Sequence, residues 1–333
     1  MGIVAWGLAN SLDETYEVHI LTTEKGVATP KRRLFVHLVP FSPFIRYPFQ
    51  TMAYGTILKP MMSKVIREIS PDILHSHLVY PYGYIFRSEK RIKKIISMGG
   101  PDEYPLPTYP MRHLITSTLK NSDVVVSNSK WLSSFVQKNY NVRPVVLPTG
   151  VDTRIFRPSG DPNKNKVVLY VGRLVEAKGV LELVNAARAL PEYEFWLVGD
   201  GPLKIPTLPN VKILGFHDNT VALYASASVC AFPSHYENFP LVGLEAMACG
   251  RAVVATELGF SEYIENGKDG ILVKPHDVRE LIGSIRYLME DETARTRLEG
   301  NARRKAIQYD WNVVAKRYEA LYESTLATSA RRL

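Results

Sequence analysis

A chain of 333 residues, 46% hydrophobic and 22% charged, can bury substantial cores and is too long for one ordinary domain, so two domains are expected. It has no apolar run of about 18 residues, and its opening MGIVAWGLANSLDETYE lacks both a basic leader and a small-residue cleavage site. Both facts argue against a spanning helix or secretory signal and for a cytosolic chain. The net charge of +8 is uneven: residues 1–160 hold 20 Lys/Arg against 11 Asp/Glu, while residues 161–333 hold 21 against 22.

In chain order, short β-branched runs alternate with helix-length amphipathic segments, the pattern of an α/β protein with parallel sheets. The first half offers strands at 16–22, 33–39, 72–77, 93–98, 123–128 and 144–149. The second offers strands at 166–172, 194–200, 211–216, 229–234, 252–256 and 270–274, with helices at 180–190, 218–226, 240–249 and 277–290. Residues 149–166, TGVDTRIFRPSGDPNKNK, are rich in Pro, Gly and polar residues and read as an inter-domain linker. The expectation is two Rossmann-like, doubly wound parallel-sheet domains facing across a cleft, with a ligand at the carboxyl ends of the strands.

The basic half carries KRR (31–33), KRIKK (90–94) and the aromatic-rich VPFSPFIRYPFQTMAYG (39–55). Such a surface favours anionic partners, although a solvated basic face fits the composition equally well. Nucleic acid is disfavoured, because no finger, helix-turn-helix or RNP-like pattern accompanies the charge. The two cysteines, Cys230 and Cys249, sit in apolar contexts and read as buried thiols rather than a disulfide. His75 and His77 stand at i, i+2, expected on opposite faces if extended, and no third ligand lies nearby in sequence. No metal-ligand cluster is therefore expected.

The stretch YENFPLVGLEAMACG (236–250) sets Glu237 and Glu245 eight positions apart around an uncharged run. Pro240 suits the first position of a helix, so a helix is expected to begin between the two carboxylates. Its first turn would present the free N–H groups of Leu241 and Val242 to a phosphate. Carboxylates repel phosphate but accept from hydroxyls, and a nucleotide-sugar has hydroxyls on both sides of a diphosphate. A plain loop carboxylate and a solvated helix position explain the spacing as well. In VLYVGRLVEAKGV (168–180) a strand runs into Gly172 and places Arg173 and Lys178 on a loop ahead of a helix, where two cations could neutralise a diphosphate. No G-x-x-x-x-G-K-[ST] occurs, and no G-x-G-x-x-G follows a first strand, which disfavours NTP hydrolysis and hydride transfer.

Taken in order, VGRLVEAKG, LVGDGP, VKILGF, LYASASVCAFPSHYENFPLVGLEAMACGRAVVAT, GILVKP and WNVVAKRYEALYE resemble the retaining nucleotide-sugar glycosyltransferases of family 4, which have the GT-B fold. The resemblance spans most of 145–325 and is looser before it. There PDILHSH resembles the strand ending in an active-site histidine, and LPTGVDTRIFRP resembles the inter-domain link, with Thr149 where Asn is usual. It implies an acceptor domain over 1–155, a donor domain over 156–310 and a C-terminal helix over 311–333 crossing back to the first domain. It also implies that Glu237 contacts the donor sugar, Glu245 the ribose hydroxyls, and Arg173 and Lys178 the diphosphate. Gly172, Asn238, Phe239, Leu241 and Val242 would line the donor, and His77 would approach the sugar near the reacting carbon. The implied chemistry is glycosyl transfer with retention and without a metal or other cofactor.

Two departures bear on the acceptor side. The family opens with a strand and a Gly-rich loop, whereas GIVAWGLANSL reads as a helix. A late-starting or truncated chain is thus expected, with an unfilled slot in the first sheet. In SMGGPDEY, Gly99 stands where the family often has His, and Asp102 and Gly2 are the remaining acceptor-side residues. The acceptor expected is a sugar or a lipid-linked sugar, with peripheral contact at the inner membrane face through the basic half. Competing readings are a donor-binding protein impaired in catalysis and a nucleotide-sugar epimerase.

Overall fold

The computed structural model describes residues 2–22, 33–39, 57–99, 109–159 and 166–330. The chain forms two compact units, residues 1–148 with 311–333, and residues 149–310.

The described residues of the second unit hold six parallel strands: β7 (Val167–Val171), β8 (Glu194–Val198), β9 (Val211–Gly215), β10 (Val229–Phe232), β11 (Ala252–Thr256) and β12 (Ile271–Val273). Their order across the sheet is β12-β11-β10-β7-β8-β9. Every residue of β10 and β11 is buried, as central strands covered on both faces require. The covering helices include Val180–Ala189, Val221–Ser226, Leu241–Ala248, Val278–Glu290 and Glu292–Ile307. Val180–Ala189 buries Val180, Leu183, Val184 and Ala187 at helical spacing, each larger side chain contributing about 1.5–3 kcal/mol by leaving water. Val278–Glu290 starts because Asp277 accepts from the Glu280 N–H at 2.9 Å, and Glu292–Ile307 because Asp291 accepts from the Ala294 N–H at 2.8 Å.

The chain enters and leaves this unit at one place. The Val151 N–H donates to the Tyr309 carbonyl at 2.9 Å, and the Thr153 N–H and hydroxyl donate to Asp310 at 3.1 and 2.6 Å. Arg303 adds bonds to the carbonyls of Phe156 and Ala248, so the first residues after Thr149 are fastened to the unit's last helix.

In the first unit β1 (Val18–Thr22) pairs in parallel with β2 (Leu34–Leu38). The strands β3 (Ile73–Ser76), β4 (Lys93–Met98), β5 (Val124–Ser127) and β6 (Val145–Val146) form a separate four-stranded parallel sheet in that order. Among the described residues no ladder joins β1 to β3, yet Leu21 packs in one cluster with Leu74, and Val18 lies with Ile73 against another. The latter cluster holds Leu8 of helix Gly2–Ser11 and Leu12 just after it, Ile95 and Val126 of the sheet, and Trp311, Val314, Tyr318 and Tyr322 of helix Trp311–Ala330. Among the described residues no helix is long and apolar enough to cross a membrane. Cys230 and Cys249 are free and buried, and burial pushes the Cys249 thiol up to about 12.

Candidate functional site

The order of the second sheet reverses between β7 and β10, because the chain moves outward from β7 through β8 and β9, then returns to add β10, β11 and β12 on the other side. Loops leaving these two strands diverge, and the crevice between them at their carboxyl ends is where such sheets bind ligands. The two motifs singled out in the sequence leave these strands.

After β7 the backbone is held by the Gly172 N–H donating to Val198 and the Leu174 N–H to Asp200, both at 2.9 Å, while the Tyr170 hydroxyl donates to the Arg173 carbonyl at 2.8 Å. Arg173 is exposed. A single 3-10 turn, Glu176–Lys178, then leads to Gly179 at φ 67°. A Cβ there would lie 1.9 Å from the Pro233 carbonyl oxygen, so only glycine lets this loop close onto the loop after β10. The contact is completed by the His235 N–H donating to Ala177 at 2.9 Å.

Interlocking the loops brings Lys178 to Glu237, with Nζ and Oε1 2.5 Å apart and the side chains only 20% and 15% exposed. The Ser234 hydroxyl donates to the same carboxylate oxygen at 3.2 Å. Gly259, at φ 75°, passes so close that a Cβ would sit 2.8 Å from the Glu237 carbonyl carbon, which fixes the loop from its other side.

Helix Leu241–Ala248 does begin between the glutamates, but one residue later than the sequence suggests. Pro240 is the cap, with φ −75° and ψ 116°, rather than the first helical residue. Its carbonyl accepts from the Tyr263 hydroxyl at 2.6 Å, and that tertiary bond holds the extended conformation. The first-turn N–H groups of Leu241 and Val242 have no carbonyl a turn earlier in the helix, which leaves a positive helix end between two acids. Glu245 lies one turn further in, accepts from the Tyr224 hydroxyl at 2.9 Å, and has its carboxyl pushed up by burial, opposed by that hydrogen bond. The Phe239 ring is 8% exposed and packs edge-on against Tyr263 at 5.2 Å, so what it can offer a ligand is its backbone.

In the first unit His77 follows β3, and burial lowers its imidazole to about 4. It makes no hydrogen bond to a described residue, whereas His75 has both ring nitrogens engaged, Nδ1 with the Tyr322 hydroxyl at 2.8 Å and Nε2 with Ser97 at 2.7 Å. The two rings do not face opposite ways. Their centroids are 4.4 Å apart, because alternation along a strand puts i and i+2 on one face. Gly2 is an exposed residue opening the first helix, and Asp102 lies outside the described residues. In the KRIKK run, Lys93 pairs with Asp123 at 3.0 Å and Lys94 donates to the Glu89 carbonyl at 3.0 Å, while Lys90, Arg91 and Lys120 are exposed around the same hollow.

One constellation escaped the sequence reading, which expected no metal-ligand cluster. Glu182, His235 and His276 bring their ligand atoms within 4.8 Å of one another. The three positions span 95 residues and belong to a helix and two strand-end loops, so no local spacing announces them.

The strand order, with β7 as first strand, is the doubly wound order of dinucleotide-binding proteins, and solved structures similar to the whole chain have the GT-B fold. Sucrose-phosphate synthase from Thermosynechococcus elongatus superposes with a TM-score of 0.85 at 21% identity, covering 98% of this chain and 93% of that one. Anabaena HepE in complex with UDP gives 0.71 at 22% identity over 88% and 92%. Residues 1–155 match the family described as Glycosyltransferase Family 4 and residues 165–291 match Glycosyl transferases group 1. The chain belongs to the group 1, family 4 glycosyltransferases, a retaining family that takes its sugar from nucleotide sugars. An uncharacterized glycosyltransferase of Methanocaldococcus jannaschii is 27% identical over 92% of this chain and 90% of its own length. The N-acetyl-alpha-D-glucosaminyl L-malate synthase of Bacillus anthracis is 27% identical over 98% and 94%. A Campylobacter jejuni N,N'-diacetylbacillosaminyl-diphospho-undecaprenol alpha-1,3-N-acetylgalactosaminyltransferase is 32% identical over 49% of this chain and 46% of its own.

Proposed function

We propose that the chain transfers a sugar from a nucleotide-diphosphate sugar to a sugar or lipid-linked sugar acceptor, with retention at the anomeric carbon and no metal in the transfer step. The observation that carries this reading is the crevice between β7 and β10, where Lys178 is held against Glu237 and an open helix end lies between Glu237 and Glu245. Arg173 and Lys178 hold the diphosphate, and Gly172 with the backbone of Asn238, Phe239, Leu241 and Val242 lines it. Glu245 accepts from the ribose hydroxyls and Glu237 from those of the donor sugar.

In the reaction the bond from the anomeric carbon to the phosphate oxygen breaks while the acceptor oxygen bonds to that carbon. The departing phosphate oxygen takes the acceptor's proton. Charge growing on the phosphate is met by Arg173, Lys178 and the helix N–H groups, which are fixed before the reaction begins. His77 serves the donor sugar near the reacting carbon. Lowered to about 4, it is neutral at physiological pH and can hydrogen-bond a hydroxyl without adding charge. Residues 1–155, with the terminal helix, serve the acceptor and residues 156–310 the donor; Asp102 and Gly2 are assigned to the acceptor side.

The lipid-linked acceptor is supported by the basic first half, by the exposed Lys90, Arg91 and Lys120, and by the undecaprenol-linked substrate in the name of the Campylobacter relative. On this reading the enzyme works in the cytoplasm, at the inner membrane face. The UDP held by HepE makes UDP-sugars the first donors to try.

The test is calorimetric titration of the purified chain with UDP, GDP, ADP and their sugars, followed by product analysis with the donor that binds. One nucleotide should bind selectively, and Arg173→Ala should lower kcat by about 10²–10³, the usual loss when one donor to a developing anion is removed. Nucleotide affinity unchanged in both Arg173→Ala and Glu245→Ala would sink the assignment.

A further inference from the structure

We propose that Glu182, His235 and His276 form a binding site for a divalent first-row transition ion, with Zn²⁺ as the best match to the donor set. Glu182 sits in the first turn of helix Val180–Ala189, His235 in the loop after β10, and His276 in the loop after β12. Glu182 Oε1 is the common point, 2.6 Å from His235 Nε2 and 3.5 Å from His276 Nδ1, and the two imidazole centroids are 3.9 Å apart. Two imidazoles and one carboxylate, with a fourth position open, is a donor set that zinc accepts.

Bonds of about 2.0–2.1 Å to a tetrahedral ion put ligand atoms about 3.3 Å apart. The Glu182–His276 separation of 3.5 Å is close to this, and the Glu182–His235 contact of 2.6 Å has to open by about 0.7 Å, exchanging its proton for the metal. Burial supports a built site. The side chains of Glu182 and His235 are 15% and 19% exposed, so two ligands are fixed by the fold, and His276, 66% exposed, closes from the solvent side.

His276 also stands at φ 64°, a left-handed conformation in which an L side chain is strained and glycine is not. The turn is held from both sides, with the Val278 N–H donating to the His276 carbonyl and the Asp277 N–H to Lys274. A strained histidine is therefore kept where its ring can reach the other two ligands. An ion bound there joins three chain segments, one of which carries Glu237 two residues beyond His235.

The experiment is titration of tag-free, chelator-stripped protein with ZnCl₂, followed by calorimetry and by competition with a chromophoric chelator. The expected result is one saturable site of micromolar or tighter affinity, weakened at least 10-fold in both His276→Gly and Glu182→Gln and unchanged in His217→Ala. His276→Gly relieves the left-handed strain, so lost affinity in that variant reports the missing ligand rather than a damaged fold. The proposal is overturned by the absence of a saturable site, or by His276→Gly and Glu182→Gln binding zinc as tightly as the parent. Because zinc affinity is read without nucleotide, its failure leaves the donor-site reading untouched.

Discussion

The two units bury their apolar side chains in different ways. In the second, one continuous cluster runs through all the helices and strands, and the loops that leave β7 and β10 are knotted together by backbone contacts at Gly179 and Ala177. Among the described residues of the first, the core is divided into three smaller clusters, and one of them draws about half its buried members from the helix Trp311–Ala330. A site built from strand ends on the first pattern is rigid by default. The second pattern makes local order depend on residues some 300 positions away in sequence.

The largest expected effect breaks that dependence. Trp311→Ala removes the biggest side chain the terminal helix places against Leu8, Leu12 and Ile95, and should cost about 3–5 kcal/mol. Denaturant unfolding followed by hydrogen exchange should show the loss in the first unit while the strands of the second keep their protection; a uniform loss would mean the two cores are not separable. Next in size is Gly179→Ala, which forces a Cβ toward the Pro233 carbonyl from a left-handed backbone, at about 1–3 kcal/mol. Its signature is loss of nucleotide affinity greater than the loss of melting temperature suggests, because the strain falls on the loop that carries Lys178. Equal affinity in this variant would show that the interlocked loops do not set the donor site.

The smallest effect concerns Glu245. Burial raises its folded-state pKa above the ordinary carboxyl value, so the folded chain holds this proton more tightly than the unfolded one. The group's contribution to stability is fullest below the unfolded value and is lost as pH rises through the folded one. Glu245→Gln cannot ionise and still offers Tyr224 an acceptor. Its melting temperature relative to the parent should therefore rise as pH goes from about 5 to about 8, while nucleotide binding falls. A pH-independent difference would place the ionised carboxylate in a better-solvated setting than the structure gives it.

Each of the strands proposed from sequence is present. The central ones, β10 and β11, were readable because parallel strands buried on both faces are near-continuous apolar runs, while β2, β6 and β9, which expose residues, were readable from their β-branched and apolar content alone. The helix start between Glu237 and Glu245 was legible because it is a local event, announced by Pro240. What escaped depends on tertiary contacts. Pro240 is moved to the cap by a bond from Tyr263, and Phe239 is drawn into an aromatic cluster with Tyr263 and Tyr309. The ligand trio is assembled by the order of β10, β11 and β12 across the sheet, information no short window contains. The His75 and His77 geometry was open to simple strand alternation, and there the misreading was one of face rather than of residue.

The fastening of Val151 and Thr153 to Tyr309 and Asp310 has a further consequence. A module whose first and last residues already touch is topologically an insertion: it can be cut out, closed with a short linker, or moved into a new host, with little loop entropy added. Residues 149–310 are such a cassette, and the segments on either side of it, 1–148 and 311–333, are two pieces of one interrupted host.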